Sequence, residues 1–451
     1  MKSPVAWALL ALTSLVAILS GIEAKSLSGN RVLVLLDDLS EKPNYSRFWQ
    51  SLEDRGFRLN FYTSSEDDPT ILRKYGEYQY DHVVHFAPKS KEIGKHKSFG
   101  NVQLVKFVND GGNLLVATSK DPSSAVRELA AEFDVEFDSA GSTVYDHAAA
   151  DENEPDTIQT LNIVAPDSII EEGSVTVPIL YRGVGLYPGK IPFLNRVLSA
   201  EKTAFTADAY SKDAQVENVD LVCAMQARNS ARATFVGSLE LFSDSFYERK
   251  VEQKRPNGTA KRTVQSGNAA FVEELSKWTL QEKSVLKIVS HRHHKANETE
   301  QQSAYRIKDD IVYVLEVSEY KDDHWTTFKA DDIQLEIIML DPYIRTTLKQ
   351  LPTAPDHHYG RFVAHVKLPD VYGVFTFKVN YKRPGLTYLL AEDVVAIRPF
   401  RHNEYPRFLT AAYPYYASVG SMIVGFLVFS AVWLSTWGGQ EPKRAPKPKS
   451  Q

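Results

Sequence analysis

Asp37 and Asp38 are the residues best placed to do chemistry. They follow a short apolar run at 31–36. Carboxylates at the C-terminal end of a first parallel strand sit where open α/β sheets hold ligands or metals. Acidic residues there also cap helices and close turns, so a structural reading stands beside the ligand-cleft reading. The run His291, Arg292, His293, His294 gathers imidazoles but has no cysteine or carboxylate at metal-ligand spacing. It reads as a solvated loop, and His357-His358 is weaker still. Gly183, Gly185, Gly189 and Lys190 fit neither dinucleotide nor Walker spacing, and Ile191 stands where a phosphate loop needs Ser or Thr. No Gly-x-Ser-x-Gly elbow and no Asp-x-Asp occurs. The lone cysteine, Cys223, lies in an apolar run and reads as a buried thiol. The residues therefore predict no catalytic set, no metal site and no cofactor.

The elements that would position Asp37 and Asp38 alternate between strand and helix. Strands are predicted at 31–36, 57–62, 82–86 and 113–118, with helices at 45–55 and 102–109 and another starting at Pro122 with Asp121 as N-cap. That order argues for an α/β layer with a largely parallel sheet. Further strands at 221–226 and 233–237 and an amphipathic helix at 268–280 extend it, giving one unit over 25–285 with a possible subdivision near 150. The polar stretch 286–310 reads as a linker. Beyond it the hydrophobic period becomes two, which predicts an antiparallel β-sandwich over 311–400.

Two hydrophobic segments frame this body. Residues 1–24 have the short positive start, apolar core and small terminal residue (Ala24) of a secretory signal peptide. Near the other end, 417–437 carries no charge and is long enough to cross a bilayer. Tyr413, Tyr415 and Tyr416 precede it and Trp433 and Trp437 close it, as aromatic belts at two interfaces would, so the predicted transmembrane helix covers 413–437. Ala417, Ser421 and Gly425 form a small-residue face that would admit a partner helix. The tail 438–451 carries four basic residues and one acid, which by the positive-inside bias faces the cytosol. Lys447 and Lys449, near the C-terminus, match a dilysine-type retrieval signal. A single-pass type I protein of the endoplasmic reticulum follows, with its body in the lumen.

The 451 residues carry net charge −5, and 52 Lys+Arg against 57 Asp+Glu leave no basic field for nucleic acid. In an oxidising lumen one cysteine makes no internal disulfide, so a hydrophobic core must hold the body. Three sequons, at Asn44, Asn257 and Asn297, are candidate glycan carriers.

Several strings carry a resemblance. They are RVLVLLDD from Arg31, DGGN from Asp110, ARNSAR from Ala227, GSLELFSDSF from Gly237, DDIQLE from Asp331, KLPDVYGVF from Lys367 and YPYYAS from Tyr413. Together they resemble the 48 kDa subunit family of the eukaryotic oligosaccharyltransferase, from about residue 30 to the end of the predicted span. The resemblance implies an accessory subunit of the machine that moves an oligosaccharide from dolichyl diphosphate to Asn in Asn-x-Ser/Thr. It implies an amidotransferase-like α/β domain without its nucleophile, and catalysis in a separate multi-spanning subunit. The implied partners are that subunit, the ribophorins and small membrane subunits. The alternative is a luminal enzyme, or a cargo- or glycan-binding receptor, working through an Asp37-Asp38 cleft.

Overall fold

A computed structural model describes residues 25–66, 68–90, 93–146, 154–208, 219–254, 261–321, 323–352, 357–405 and 410–437. The signal-like segment, Asn257, Lys447 and Lys449 lie outside the described residues.

The first domain is built on one nine-stranded mixed sheet. Its strands are β1 (Arg31–Leu36), β2 (Arg58–Thr63), β3 (His82–Phe86), β4 (Asn113–Ala117), β5 (Val135–Phe137), β6 (Leu186–Pro188), β7 (Leu194–Ser199), β8 (Asp220–Gln226) and β9 (Arg232–Val236). The order is β2-β1-β3-β4-β9-β8-β6-β5, with β7 also on β8. The half from β2 to β9 is parallel. The β8, β7, β6 and β5 half is antiparallel, so "largely parallel" holds for one half only.

Strand alternation sends the two faces of β1 into different cores. Val32, Val34 and Leu36 pack with α1 (Ser46–Asp54) and α4 (Asn268–Thr279) through Phe48, Trp49, Phe271 and Trp278. Leu33 and Leu35 pack with α2 (Asn101–Asn109) and α3 (Ser124–Ala131) through Phe107 and Leu129. β5 pairs with β6 and β4 with β9, so residues on both sides of position 150 belong to one sheet. α3 starts later than its sequence suggests, because Ser123 rather than Asp121 caps it, its hydroxyl accepting from Val126 N at 3.4 Å.

The second domain is a β-sandwich. One sheet contains β10 (Val285–Lys295), β12 (Asp310–Lys321), β13 (His324–Thr327), β16 (Lys349–Leu351) and β17 (Gly360–Lys367). The other is β11-β19-β18-β14-β15, comprising β11 (Ala304–Arg306), β14 (Gln334–Met339), β15 (Asp341–Thr347), β18 (Gly373–Tyr381) and β19 (Leu389–Arg398). All pairs are antiparallel except β11 with β19. The expected linker at 286–310 is corrected here. Its first ten residues belong to β10, which pairs along most of β12 across a register shift at Ile288/Ser290. The polar residues that suggested a linker face outward at Lys287 and Arg292, while His293 turns inward.

The domains meet where the turn between β18 and β19 enters the first domain. Trp278 Nε1 donates to Gly385 O at 2.7 Å, Gln226 Nε2 to Leu386 O at 2.5 Å and Ser168 Oγ to Pro384 O at 2.8 Å. Gly385 has φ +74°, and a Cβ there would lie 2.1 Å from Ser168 Oγ, so only glycine fits both backbone and space. Behind this contact Arg232 is fully buried. Its guanidinium lies 4.6 Å from the Trp278 ring and donates to Trp278 O, Lys283 O and Ser284 O at 2.6, 2.9 and 2.8 Å. Beyond β19, α5 (Tyr413–Trp437) is an exposed apolar helix, part of a 28-residue segment (Thr410–Trp437) long enough to cross a membrane.

Candidate functional site

In an open α/β sheet the ligand crevice lies where the chain reverses the direction in which strands are added. Here that point falls between β1 and β3, because the chain leaves β1 for β2 on one side and later returns to β3 on the other. Asp37 follows β1, and Lys89 and Ser90 lie shortly after β3. Asp37 thus stands at the switch point of the sheet, where its carboxylate is held by the chain itself. Both Asp37 carboxylate oxygens accept backbone N–H groups from across the crevice, Oδ2 from Lys89 and Oδ1 from Ser90, each at 3.1 Å. The chain's own carboxylate thus occupies both of those amides. Burial pushes the Asp37 carboxyl above its usual range, opposed by the two N–H donors.

Asp38 points elsewhere. Its Oδ1 accepts Ser40 N at 3.0 Å and caps the 3-10 turn Leu39–Tyr45, and that hydrogen bond holds its carboxyl low. The pair thus divides between a cross-crevice tie and a cap, and the two carboxylates do not converge on a common point. Other charges in this domain are paired too. Arg182 reaches Glu154 at 3.0 Å and Glu240 at 2.5 Å, and Arg249 reaches Glu154 at 2.8 Å. The hydrogen bond from Arg249 draws the Glu154 carboxyl down to about 2. The sequence gives no signal for this cluster, because its members are scattered from 154 to 249.

Cys223 is fully buried in β8, and burial pushes its thiol up, away from the reactive thiolate. His85 in β3 is fully buried with neither ring nitrogen hydrogen-bonded, and burial pushes it down to about 4. His82, also driven to about 4 by burial, lies 3.1 Å from Asn113 Nδ2 and 3.1 Å from Gly29 O. The expected solvated histidine loop is instead strand. His293 Nδ1 lies 2.7 Å from the Tyr305 hydroxyl and His291 Nδ1 lies 2.8 Å from Asp393. Among the described residues no group of three or more His, Cys, Asp or Glu is arranged to hold a metal ion. Asn44 and Asn297 are exposed. Ala417, Ser421 and Gly425 lie on α5 and are exposed, with nothing within 4 Å of a Cβ placed on Gly425.

This geometry defines a class: a two-domain body joined, among the described residues, to one apolar helix long enough to cross a membrane, with Asp37 tied to backbone amides across the switch point of its α/β sheet. Family profiles described as "OST48, N-terminal domain" and "OST48 middle domain" match residues 23–282 and 293–437. The chain belongs to this OST48 family. A Drosophila melanogaster protein named "Dolichyl-diphosphooligosaccharide--protein glycosyltransferase 48 kDa subunit" is 40% identical over 420 residues, covering 89% of this chain and 90% of its own length. Proteins of the same name from Danio rerio and Arabidopsis thaliana are 37% and 38% identical, each covering 90% of this chain and 92% of its own length. Among solved structures, the carbohydrate deacetylase Agd3 aligns over 46% of this chain and 29% of its own, with 10% identity and a TM-score of 0.28, which carries no argument.

Proposed function

We propose that this chain is a structural, non-catalytic subunit of the oligosaccharyltransferase of the endoplasmic reticulum, supporting oligosaccharide transfer from dolichyl diphosphate to Asn in Asn-x-Ser/Thr. The body lies in the lumen and the basic tail in the cytosol. The catalytic multi-spanning subunit, the ribophorins and the small membrane subunits are its partners, with Ala417, Ser421 and Gly425 as a helix-packing face. Family membership supports the complex. The observation that carries the non-catalytic reading is the Asp37 tie, which occupies the crevice donors with the protein's own carboxylate.

The test is Asp37→Asn in the purified complex. An amide keeps one acceptor but turns an N–H toward the other backbone donor, so the tie weakens by about 1–3 kcal/mol. The expected result is a lower unfolding temperature for this subunit, with the assembled complex glycosylating an acceptor peptide at an unchanged rate. Turnover that collapses by about two orders of magnitude while assembly stays intact would overturn the reading and return Asp37 to an active site; catalytic groups removed singly cost on that order.

A further inference from the structure

The sandwich end opposite the first domain exposes apolar side chains. Leu340, at the tip of the β14–β15 hairpin, is 100% exposed and sits at φ +63°, a conformation costly for a branched side chain. Beside it runs the loop 369–372, since a Cβ on Gly373 would lie 2.5 Å from Met339 Sδ. Tyr372 on that loop is exposed, as are Val374 at the start of β18, Val394 on β19 and Tyr405 just beyond it.

The outer face of this sheet is graded. The outermost row pairs Val374 with Ala396, and the next pairs Thr376 with Val394. The third pairs Lys378 with Glu392 in an ion pair at 2.6 Å, and Glu336 in the same row pairs with Arg345 at 2.6 Å. Along these two strands charge thus begins about 13 Å from the Val374 row, four residues along. At the tip itself exposed Asp341 follows Leu340, and Asp370 of the Tyr372 loop pairs with Lys308 at 2.7 Å, so the tip mixes apolar and charged groups.

The apolar helix is tethered to this same end. β19 ends at Arg398, whose guanidinium holds Glu404 through two bonds of 2.7 and 2.8 Å. Phe400 lies 5.0 Å from Arg306 and 5.4 Å from Tyr405, so the chain through 405 stays on the sandwich. The helical segment starts at Thr410. Five residues span at most about 18 Å, so the start of the helical segment lies within that distance of Tyr405, at the same end of the sandwich as the tip.

We propose that the Leu340 hairpin and the Tyr372 loop form a second membrane attachment, seated in the interfacial layer of the bilayer that α5 crosses. Leucine supplies apolar insertion and tyrosine the amphipathic ring suited to the headgroup level. The proposal rests on α5 spanning a bilayer. With that helix as the first anchor, the tip fixes the tilt of the sandwich and, through Gly385, the height of the first domain.

The full chain, reconstituted into phosphatidylcholine nanodiscs, tests this through single fluorophores on introduced cysteines. Cys223 is fully buried and stays unlabelled in the folded protein. Leu340→Cys and Tyr372→Cys report the tip, Ala417→Cys the helix, and Tyr75→Cys the exposed turn of a hairpin of the first domain. Nitroxide lipids labelled near the headgroup should quench the 340 and 372 labels several-fold more than the 75 label, while aqueous iodide quenches them less. A quenched 417 label with a 340 label as open to iodide as that at 75 overturns the proposal. An unquenched 417 label overturns the spanning helix itself, a separate failure. In the purified complex, protection of the 340 label from both quenchers means that a protein surface covers it, and also overturns the proposal.

Discussion

At one end of the sandwich the turn between β18 and β19 buries glycine against serine and passes its carbonyls to donors of the first domain. At the other end the turn between β14 and β15 holds a fully exposed leucine at positive φ. Both turns adopt left-handed backbone, Gly385 at φ +74° and Leu340 at φ +63°. At the first, close approach inside the protein dictates glycine. At the second no burial within the fold dictates leucine, and the residue type runs against backbone preference. The difference separates a contact completed within the chain from one that the chain leaves open.

Arg232→Met should break the closed end with the largest effect. The side chain volume is nearly kept, but the three carbonyls of the 278–284 turn lose their donors. Relief of a buried charge, which burial already pushes down to about 9, offsets part of that loss. A net destabilisation of about 3–5 kcal/mol is expected, measured by denaturant unfolding of the full chain in micelles. An unchanged midpoint would mean that water replaces the guanidinium.

Acid attacks the same domain from its sheet. His82 and His85 titrate near 4 when folded and near 6.5 when unfolded, so their stabilisation is full above 6.5 and is lost as pH falls toward 4. Each contributes roughly 3 kcal/mol over that window. Glu282, which burial raises to about 7, works in the opposite direction between 4.5 and 7 and offsets one of them. His85→Leu, at an unpartnered site, should flatten the net fall in stability between pH 6.5 and 4. A slope equal to the parent's would show that His85 is solvated in the native state.

Gly385→Ala is milder. The methyl must displace Ser168 Oγ and Ile169 Cγ1, which lie 2.1 and 2.8 Å from it, at unfavourable φ. About 2 kcal/mol is expected, together with faster proteolysis between the domains. Loss of stability without faster cleavage would place the strain within the turn rather than at the interface.

Much of this architecture is legible in the chain. The apolar runs of β1, β3 and β4, the period-two strands β12, β17 and β18, and the uncharged helix α5 announce themselves because neighbouring residues carry the pattern. β10 does not, since its histidines look solvated until Tyr305 and Asp393 arrive to partner them. The position of Asp37 at a strand end is readable, but its backbone partners are not, because Lys89 and Ser90 lie 52 and 53 residues away. Arg232 closes the polar string ARNSAR between two predicted strands, and its acceptors lie 46 to 52 residues further on.

Leu340→Gly gives the smallest change and the sharpest test of the contrast. Glycine removes a left-handed branched residue, which should stabilise the free protein by about 1 kcal/mol. Loss of a fully exposed side chain offers no opposing cost within the fold. A substitution that improves folding while changing the attachment of the body would show that leucine is kept for something outside the chain. Unfolding of the full chain in micelles measures the first quantity. Lipid quenching of a label at Tyr372→Cys, compared with and without the additional L340G substitution, measures the second. Higher stability with weaker quenching is the expected pair. Lower stability would mean that Leu340 packs against Tyr372 or Val374 in solution, and the open end would then be a closed contact like the other.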